Sequence, residues 1–218
     1  MASAQYDSIG ARRHVVRPPA LRHDTPAGKI EDGWLLADQT AITIRAARPD
    51  DAASLQDLVR GLSKESRYRR FFHAMRELPP ELLAQFTHAD PMREITLLAL
   101  IRQGGREVPV AMAQYVCAPY PERCEFAVVV TDAWQRHGIG IRLLRDLICV
   151  AAAAGLERIE GDVLDENEPM RGMLQRMGFE FAPHPDGAYL MLASKPLAPP
   201  AWKCSALTGL VRRLSLAT

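Results

Sequence analysis

The fold of this chain depends on one segment, Glu125-Phe-Ala-Val-Val-Val-Thr-Asp-Ala-Trp-Gln135-Arg-His-Gly138-Ile-Gly140. Phe126–Val130 has the β-branched and aromatic composition of a strand, and residues 141–154 carry apolar side chains at helical spacing. The backbone N–H groups that begin such a helix have no acceptor within it, and the helix dipole favours phosphate at that end. The segment therefore predicts an anion-binding turn between a strand and a helix.

The glycine spacing in this turn is Gln-x-x-Gly-x-Gly, with Gly138 and Gly140 as the pair. It matches neither the phosphate loop of nucleotide triphosphatases nor the three-glycine dinucleotide fingerprint. Glycine lets the main chain approach a ligand closely, but the same pair also fits a tight turn that opens a buried helix. Both interpretations remain open from the spacing alone.

The flanking sequence predicts an α/β fold in three layers. Before the segment, residues 34–46 indicate a hairpin that turns near Asp38 and Gln39, and three helices are predicted after Pro49, from Ser66 to Phe72, and from Pro79. Residues 95–101 and 108–116 flank Gln103-Gly-Gly105 and predict two antiparallel strands. After the segment come a strand at 158–164, a short helix after Asn167 and two further strands.

Several of these blocks resemble the GNAT acyl-coenzyme A N-acetyltransferase superfamily, over roughly residues 40–193. Gln135–Gly140 resembles its pyrophosphate loop, and Asn167 followed by Gly178-Phe179 resembles its next motif. More narrowly, four blocks resemble the catalytic domain of Pat-type protein lysine acetyltransferases: Ile44-Arg45 through Ala52, Ser66 through Phe72, Ala89-Asp90 through Arg93-Glu94, and Glu125 through Val130. The resemblance implies a mixed, mostly antiparallel central sheet flanked by helices.

The resemblance also implies an activity, in which acetyl-coenzyme A donates an acetyl group to a lysine ε-amine by direct attack. A lysine amine has a pKa of about 10.4 and is mostly protonated at neutral pH, so the reaction needs a base. The glutamate of the Glu-Phe-Ala block serves as that base in the resembling family, which implies this role for Glu125. Partial burial between Cys124 and Phe126 would suit a carboxylate to accept a proton. The alternative is a structural glutamate that pairs with Arg123 or another arginine.

The resemblance assigns the coenzyme to the strand and the turn. The main chain of Val128 and Val130 would bind the pantetheine arm like an added strand. The pyrophosphate would bind N–H groups of Arg136, His137, Gly138, Ile139, Gly140 and Ile141, with Gln135 shaping the loop. Arg136 and His137 could add charge near phosphate or be solvated.

Asn167 would position the pantetheine or cap the following helix, and Pro169 fits an early helical position. Many members of the superfamily have a tyrosine seven residues after this asparagine, which can protonate the departing thiolate. This chain has Leu174 there. A thiol with a pKa near that of cysteine, about 8.5, leaves tolerably without such an acid.

Composition and charge restrict the remaining possibilities. With 218 residues, 48% hydrophobic content and a net charge of +1, the chain can bury one core and has no general attraction to nucleic acid or anionic membrane. No apolar run is long enough to span a membrane. We expect a flexible basic arm at 1–28, an acetyltransferase domain at 29–195, and a proline-containing tail at 196–218 whose short amphipathic helix could pack on the domain or on a sister subunit of a homo-oligomer.

The four cysteines are scattered and have no disulfide or metal-ligand spacing, so we expect reduced thiols, with Cys149 in the core, no metal, and a cytoplasmic protein. The favoured partner is a protein with a reactive lysine, and the family analogy suggests an acyl-coenzyme A synthetase. Two alternatives remain. One is a GNAT enzyme that acetylates a small amine or an N-terminus, and the other is a non-catalytic sensor of acyl-coenzyme A.

Overall fold

The protein was analysed as a computed structural model that describes residues 31–197, apart from 89, 91, 118–121, 186 and 188. The strands are β1 Glu31–Leu35, β2 Ala41–Ala46, β3 Glu94–Gln103, β4 Arg106–Cys117, β5 Arg123–Val130, β6 Arg158–Leu164, β7 Glu180–Pro183 and β8 Leu190–Pro196. The helices are α1 Ala52–Gly61, α2 Lys64–Phe71, α3 Pro80–Thr87, α4 Ile139–Ala153 and α5 Glu168–Arg176.

One sheet of eight strands forms the middle layer, in the order β1-β2-β3-β4-β5-β6-β8-β7. Only β5 and β6 pair in parallel, since every other neighbouring pair is antiparallel. α4 and the buried Leu174 of α5 pack on one face with side chains such as Phe126 and Val128. α1 and the α2–α3 region cover the opposite face, where Met112 and Val129 join a second cluster. The predicted mixed, mostly antiparallel sheet between helices is confirmed.

Helix α4 forms where the apolar spacing predicts it, because Leu143, Leu144, Leu147 and Val150 all point into the core. It begins at Ile139, two residues before the predicted start. α2 also begins early, at Lys64, because the Ser63 hydroxyl accepts a hydrogen bond from the Ser66 N–H at 3.0 Å and caps the helix. The predicted arm at 1–28 and the tail helix near 206–216 lie outside the described residues.

The cysteines depart from one expectation. Cys117 on β4 and Cys124 on β5 are reduced and lie directly opposite each other in the ladder. Burial raises the pKa of the Cys117 thiol to about 11, so it is a poor nucleophile at neutral pH. Cys149 on α4 is disulfide-bonded, so the expectation of a reduced core thiol there is wrong.

Two features of the described residues concern membranes and metal ions. None of their helices is both long and apolar enough to cross a membrane. No group of three or more His, Cys, Asp and Glu side chains in the same residues is arranged to hold a metal ion.

Candidate active site

A cleft opens in the sheet immediately after Glu125. Pairing between β5 and β6 covers only Arg123–Glu125 opposite Arg158–Glu160. Beyond this point β5 remains paired with β4 as far as Val130, whereas β6 pairs with β8. The two central strands therefore part at Glu125, and the β6-facing edge of Phe126–Val130 has no strand partner in the described part of the chain.

Gly161 permits the closest approach of the two strands at the apex of this cleft. A β-carbon at Gly161 would lie 2.8 Å from the Phe126 carbonyl oxygen and equally close to its ring. No side chain fits in that space without moving β5 or β6. The backbone geometry of the apex thus requires glycine one residue after the last paired position.

The predicted anion-binding turn lies at the far end of β5. Arg136 and Gly138 have left-handed backbones, with φ of 65° and 78°, and Gly138 is the N-cap of α4. The first hydrogen bond of the helix runs from the Arg142 N–H to the Gly138 carbonyl at 3.2 Å, so the preceding N–H groups point out of the helix end. At Gly140 a β-carbon would lie 3.3 Å from a methyl group of Val130, which explains how the helix end can lie against β5.

Side chains of the turn are fastened to helix α2. The Gln135 amide donates to the Ser66 hydroxyl and to the Val130 carbonyl, each at 3.1 Å. Asp132 accepts hydrogen bonds from the Ser63 N–H, the Ser63 hydroxyl and the Ser66 hydroxyl at 2.8–2.9 Å, and these bonds lower its pKa although partial burial opposes them. Gln135 thus joins the turn to Ser66 of α2 and to the end of β5, and its role in binding the coenzyme stays a prediction.

The contribution of the two serines and of Asp132 was missed by sequence reasoning. Ser63 and Ser66 have the spacing of a helix cap, but no local signal joins them to a residue about 70 positions later. Arg136 and His137 are exposed, and the His137 ring lies 6.1 Å from the Trp134 ring.

Glu125 lies on the face of the sheet that α1–α3 cover. Its neighbours Cys124 and Phe126 pack on the α4 side, whereas Val129 packs on the α1–α3 side, and strand residues alternate between faces. The strand register places Glu125 in a row of residues that runs across the strands on one face of the sheet. The members of this row are Glu94, Val116, Glu125, Glu160, Ser194 and Glu180. Glu160 is the direct neighbour of Glu125 across the parallel pair.

This glutamate row gives the face an acidic character that the sequence did not reveal, because its members come from four separate strands. Burial raises the pKa of Glu94, whose carboxylate accepts a hydrogen bond from the Gln85 amide at 2.6 Å. A cationic group would be attracted to this row.

Arg70 is a buried cation on the same face. Its Nη2 donates to Oε1 of Gln114 at 2.6 Å, and its guanidinium carbon lies 4.7 Å from the centre of the Phe71 ring and 5.7 Å from that of Phe86. Burial lowers the pKa of Arg70 to about 10, and the charge of Glu125 acts in the opposite direction. In the sequence, Arg70 occurs only within the Ser66–Phe72 block of the family resemblance, and no local signal gives it a role.

Comparison with known proteins agrees with this architecture. The model of the acetyltransferase (GNAT) family matches residues 58–179, more than half of the chain. This chain belongs to the GNAT acetyltransferase family. It is 29% identical over 169 residues to an acetyltransferase of Pseudomonas aeruginosa, covering 77% of this chain and 91% of that protein.

Two solved structures share the fold. The GNAT domain of Streptomyces lividans PAT is 25% identical with a TM-score of 0.69, over 78% of this chain and 98% of that one. The protein yncA of Salmonella typhimurium, solved with its cofactor acetyl-CoA, is 18% identical with a TM-score of 0.57, over 75% of this chain and 98% of the other. The second likeness shows the fold alone.

Two further predicted positions of this GNAT domain lie at the start of α5 and within it. Asn167 is buried and its side-chain oxygen accepts a hydrogen bond from the Met170 N–H at 3.4 Å, so it caps α5. Leu174 is fully buried in the core beside α4, where it supplies no proton donor. Met173 of the same helix approaches Gly140, since a β-carbon there would lie 3.9 Å from its sulfur, so α5 borders the start of α4.

Proposed function

We propose that this GNAT enzyme transfers an acetyl group from acetyl-coenzyme A to a lysine ε-amine of a protein, with Glu125 as the general base. The observation that carries the proposal is the parting of β5 and β6, because it places Glu125 at the apex of a cleft that leads to the N-terminus of α4. A thioester held along β5 would thus meet an amine close to a carboxylate.

The residues of the cleft fit an extended thioester with a pyrophosphate at one end. The β6-facing backbone edge of Val128 and Val130 can bind amide groups of a pantetheine arm as an added strand would. N–H groups from Arg136 to Ile141, at the positive end of a helix of 15 residues, suit the pyrophosphate. When bound, acetyl-coenzyme A supplies the activated acetyl group.

Glu125 would then accept a proton from the acceptor amine, directly or through one water. The neutral nitrogen forms a bond to the acetyl carbon, the carbon–sulfur bond breaks, and the nitrogen loses its second proton to water. The thiolate takes a proton from water because Leu174 cannot donate one. The acidic row beside Glu125 favours the approach of a cationic side chain.

The likeness to the PAT domain favours a protein acceptor, and an acyl-coenzyme A synthetase is the first protein that we would try. Acidic residues on both sides of Glu125 would equally attract a small cationic amine, which is the second candidate.

The proposal includes a cytoplasmic location. The disulfide of Cys149 is of a kind that is uncommon in that compartment, so the location needs a direct test. Cell fractionation provides it.

The decisive experiment measures transfer of labelled acetyl groups from acetyl-coenzyme A into a protein extract and into a panel of small amines. Glu125→Gln should abolish transfer while leaving coenzyme A affinity unchanged. Glu160→Gln is the matched control, since it removes the adjacent carboxylate of the row, and should retain most of the activity. Label in lysines supports the protein acceptor, label only in small amines supports the second candidate, and full activity of Glu125→Gln refutes the proposed base.

A further inference from the structure

Arg70 stands out among the described charged residues because it is buried and forms no ion pair with any of them. It is 5% exposed, and the described residues provide no carboxylate within ion-pairing distance of its guanidinium. Its Nε is buried and has no hydrogen-bond partner in the same part of the chain. Arginine is almost never buried this deeply unless it is paired, because taking an unpaired charge out of water is costly.

The surroundings of Arg70 hold its charge in a dry environment. The rings of Phe71 and Phe86 lie against the guanidinium, and their faces favour a cation. The single short hydrogen bond, to the Gln114 side chain, fixes the group above β4. A charge shielded from water in this way acts strongly on nearby titratable groups.

The register of β4 and β5 places Glu125 next to this charge. Gln114 pairs with Ala127, and Glu125 is two residues before Ala127 on the same face. A guanidinium bound to Gln114 therefore lies over the part of β5 that carries Glu125. The electrostatic effect of Glu125 on Arg70 agrees with that placement.

Other charged groups face Glu125 as well. Glu160 is its direct neighbour on β6, and one like charge beside another disfavours ionisation of both. β4 contributes only the uncharged Gln114 and Val116 to this part of the face. Among the described strand residues, other charged side chains on the same face near the apex are Arg123 of β5, Arg158 of β6, Glu94 of β3, and Asp162 of β6, which pairs with His184.

Taking Glu125 as the base of the proposed function, we propose that Arg70 is a positioning residue that keeps the Glu125 carboxylate ionised against the opposing charge of Glu160. A base must be deprotonated before it can accept the proton of the acceptor amine. Arg70 does not touch the reacting atoms in this scheme. It acts through Glu125, and Gln114 holds it in place.

The test compares rates of acetyl transfer from pH 5 to pH 9 for the full chain, with the labelled protein extract as acceptor. Arg70→Met removes the charge but keeps an unbranched apolar stem, and Arg70→Lys keeps the charge. Removing an opposite charge raises a carboxyl pKa by about one unit or more. We expect the Met variant to become progressively slower than the native enzyme as the pH falls, by up to about tenfold per unit of pKa difference where the pH lies below both pKa values, with the ratio of the two rates approaching one at high pH.

Controls separate this role from a purely structural one. Arg70→Lys should restore most of the rate at low pH, which is the acid limb of the pH–rate profile. Coenzyme A affinity should be equal in all variants. An Arg70→Met enzyme whose rate falls by the same factor at every pH overturns the proposal.

A second variant answers the same question if Arg70→Met does not fold. Gln114→Glu would place a carboxylate against the guanidinium, pair with it and cancel its charge. The pH below which the rate falls should therefore rise in this variant as well. An unmoved limb in Gln114→Glu overturns the proposal. If Glu125→Gln has full activity, the proposed base itself is wrong. If the enzyme requires Glu125 but its pH–rate profile does not shift in the Arg70 and Gln114 variants, only the proposal for Arg70 is wrong.

Discussion

Asp146 should make the stability of this protein depend on pH. It lies on α4 one turn after Arg142, and its Oδ2 is buried without a hydrogen-bond partner among the described residues. Arg142 already binds Asp32 of β1 through Nε at 2.7 Å and Nη2 at 2.6 Å, and it packs over the Trp34 ring. Burial, together with the charge of Asp32, raises the pKa of Asp146 from 3.8 to about 7.

The sign and size of the effect follow from proton linkage. Between pH 4 and pH 7 folded Asp146 holds its proton, whereas the unfolded chain has lost it, so the folded state binds more protons. Stability then falls as pH rises through this window and levels off above it. A shift of about three units corresponds to at most about 4 kcal/mol, and partial exposure of the side chain reduces our expectation to about 2 kcal/mol.

The perturbation is Asp146→Asn, which keeps the shape and removes the ionisation. Urea unfolding at pH 4.5 and pH 8 gives the free energy of unfolding for both proteins. The difference in free energy of unfolding between the variant and the native protein should be larger at pH 8 than at pH 4.5. We expect it to move by about 2 kcal/mol in favour of the variant. Asp57→Asn, at an exposed position of α1, is the matched control and should show the same difference at both pH values. Equal differences for Asp146→Asn at both pH values would refute the reasoning.

Three further predictions concern the cleft and its borders. Gly161→Ala should weaken coenzyme A binding, because its methyl group would meet Phe126 at 2.8 Å and displace a strand at the apex; unchanged affinity in calorimetry would contradict this. Asp132→Ala removes the acceptor for two hydrogen bonds of Ser63 and should reduce coenzyme A affinity by roughly 1 kcal/mol, about fivefold, with little loss of helix in circular dichroism. Asn167→Ala should destabilise the domain by about 1 kcal/mol in thermal or urea unfolding, whereas Asn167→Asp, which can also cap, should lose much less.

Much of the fold could be predicted from the sequence because its signals are local. The apolar spacing of α4, the strand composition of Phe126–Val130 and the glycines around residue 104 each act over a few residues. The cap at Asn167 was predicted for the same reason, and the structure contains it. Boundaries were less accurate, as at α2, where the Ser63 cap starts the helix at Lys64 and not at the predicted Ser66.

The candidate site was predictable only in part. Glu125, Val128, Val130 and the loop from Gln135 to Ile141 occur in one continuous segment that also carries the family resemblance, and their roles as base and coenzyme contacts stay predictions. Arg70 and Asp132 were missed because their partners are distant in sequence. Gln114 is 44 residues from Arg70, and Ser63 is 69 residues from Asp132.

The sequence by itself determined the elements and their order, since periodicity, caps and turn residues act within a few positions of the chain. Only the tertiary structure decided which charges meet. Strand register sets Glu160 beside Glu125, and helix packing buries Arg70 above the same face. The physical reason is that electrostatic interactions depend on distance and on exclusion of water, and both arise only when separate segments pack together.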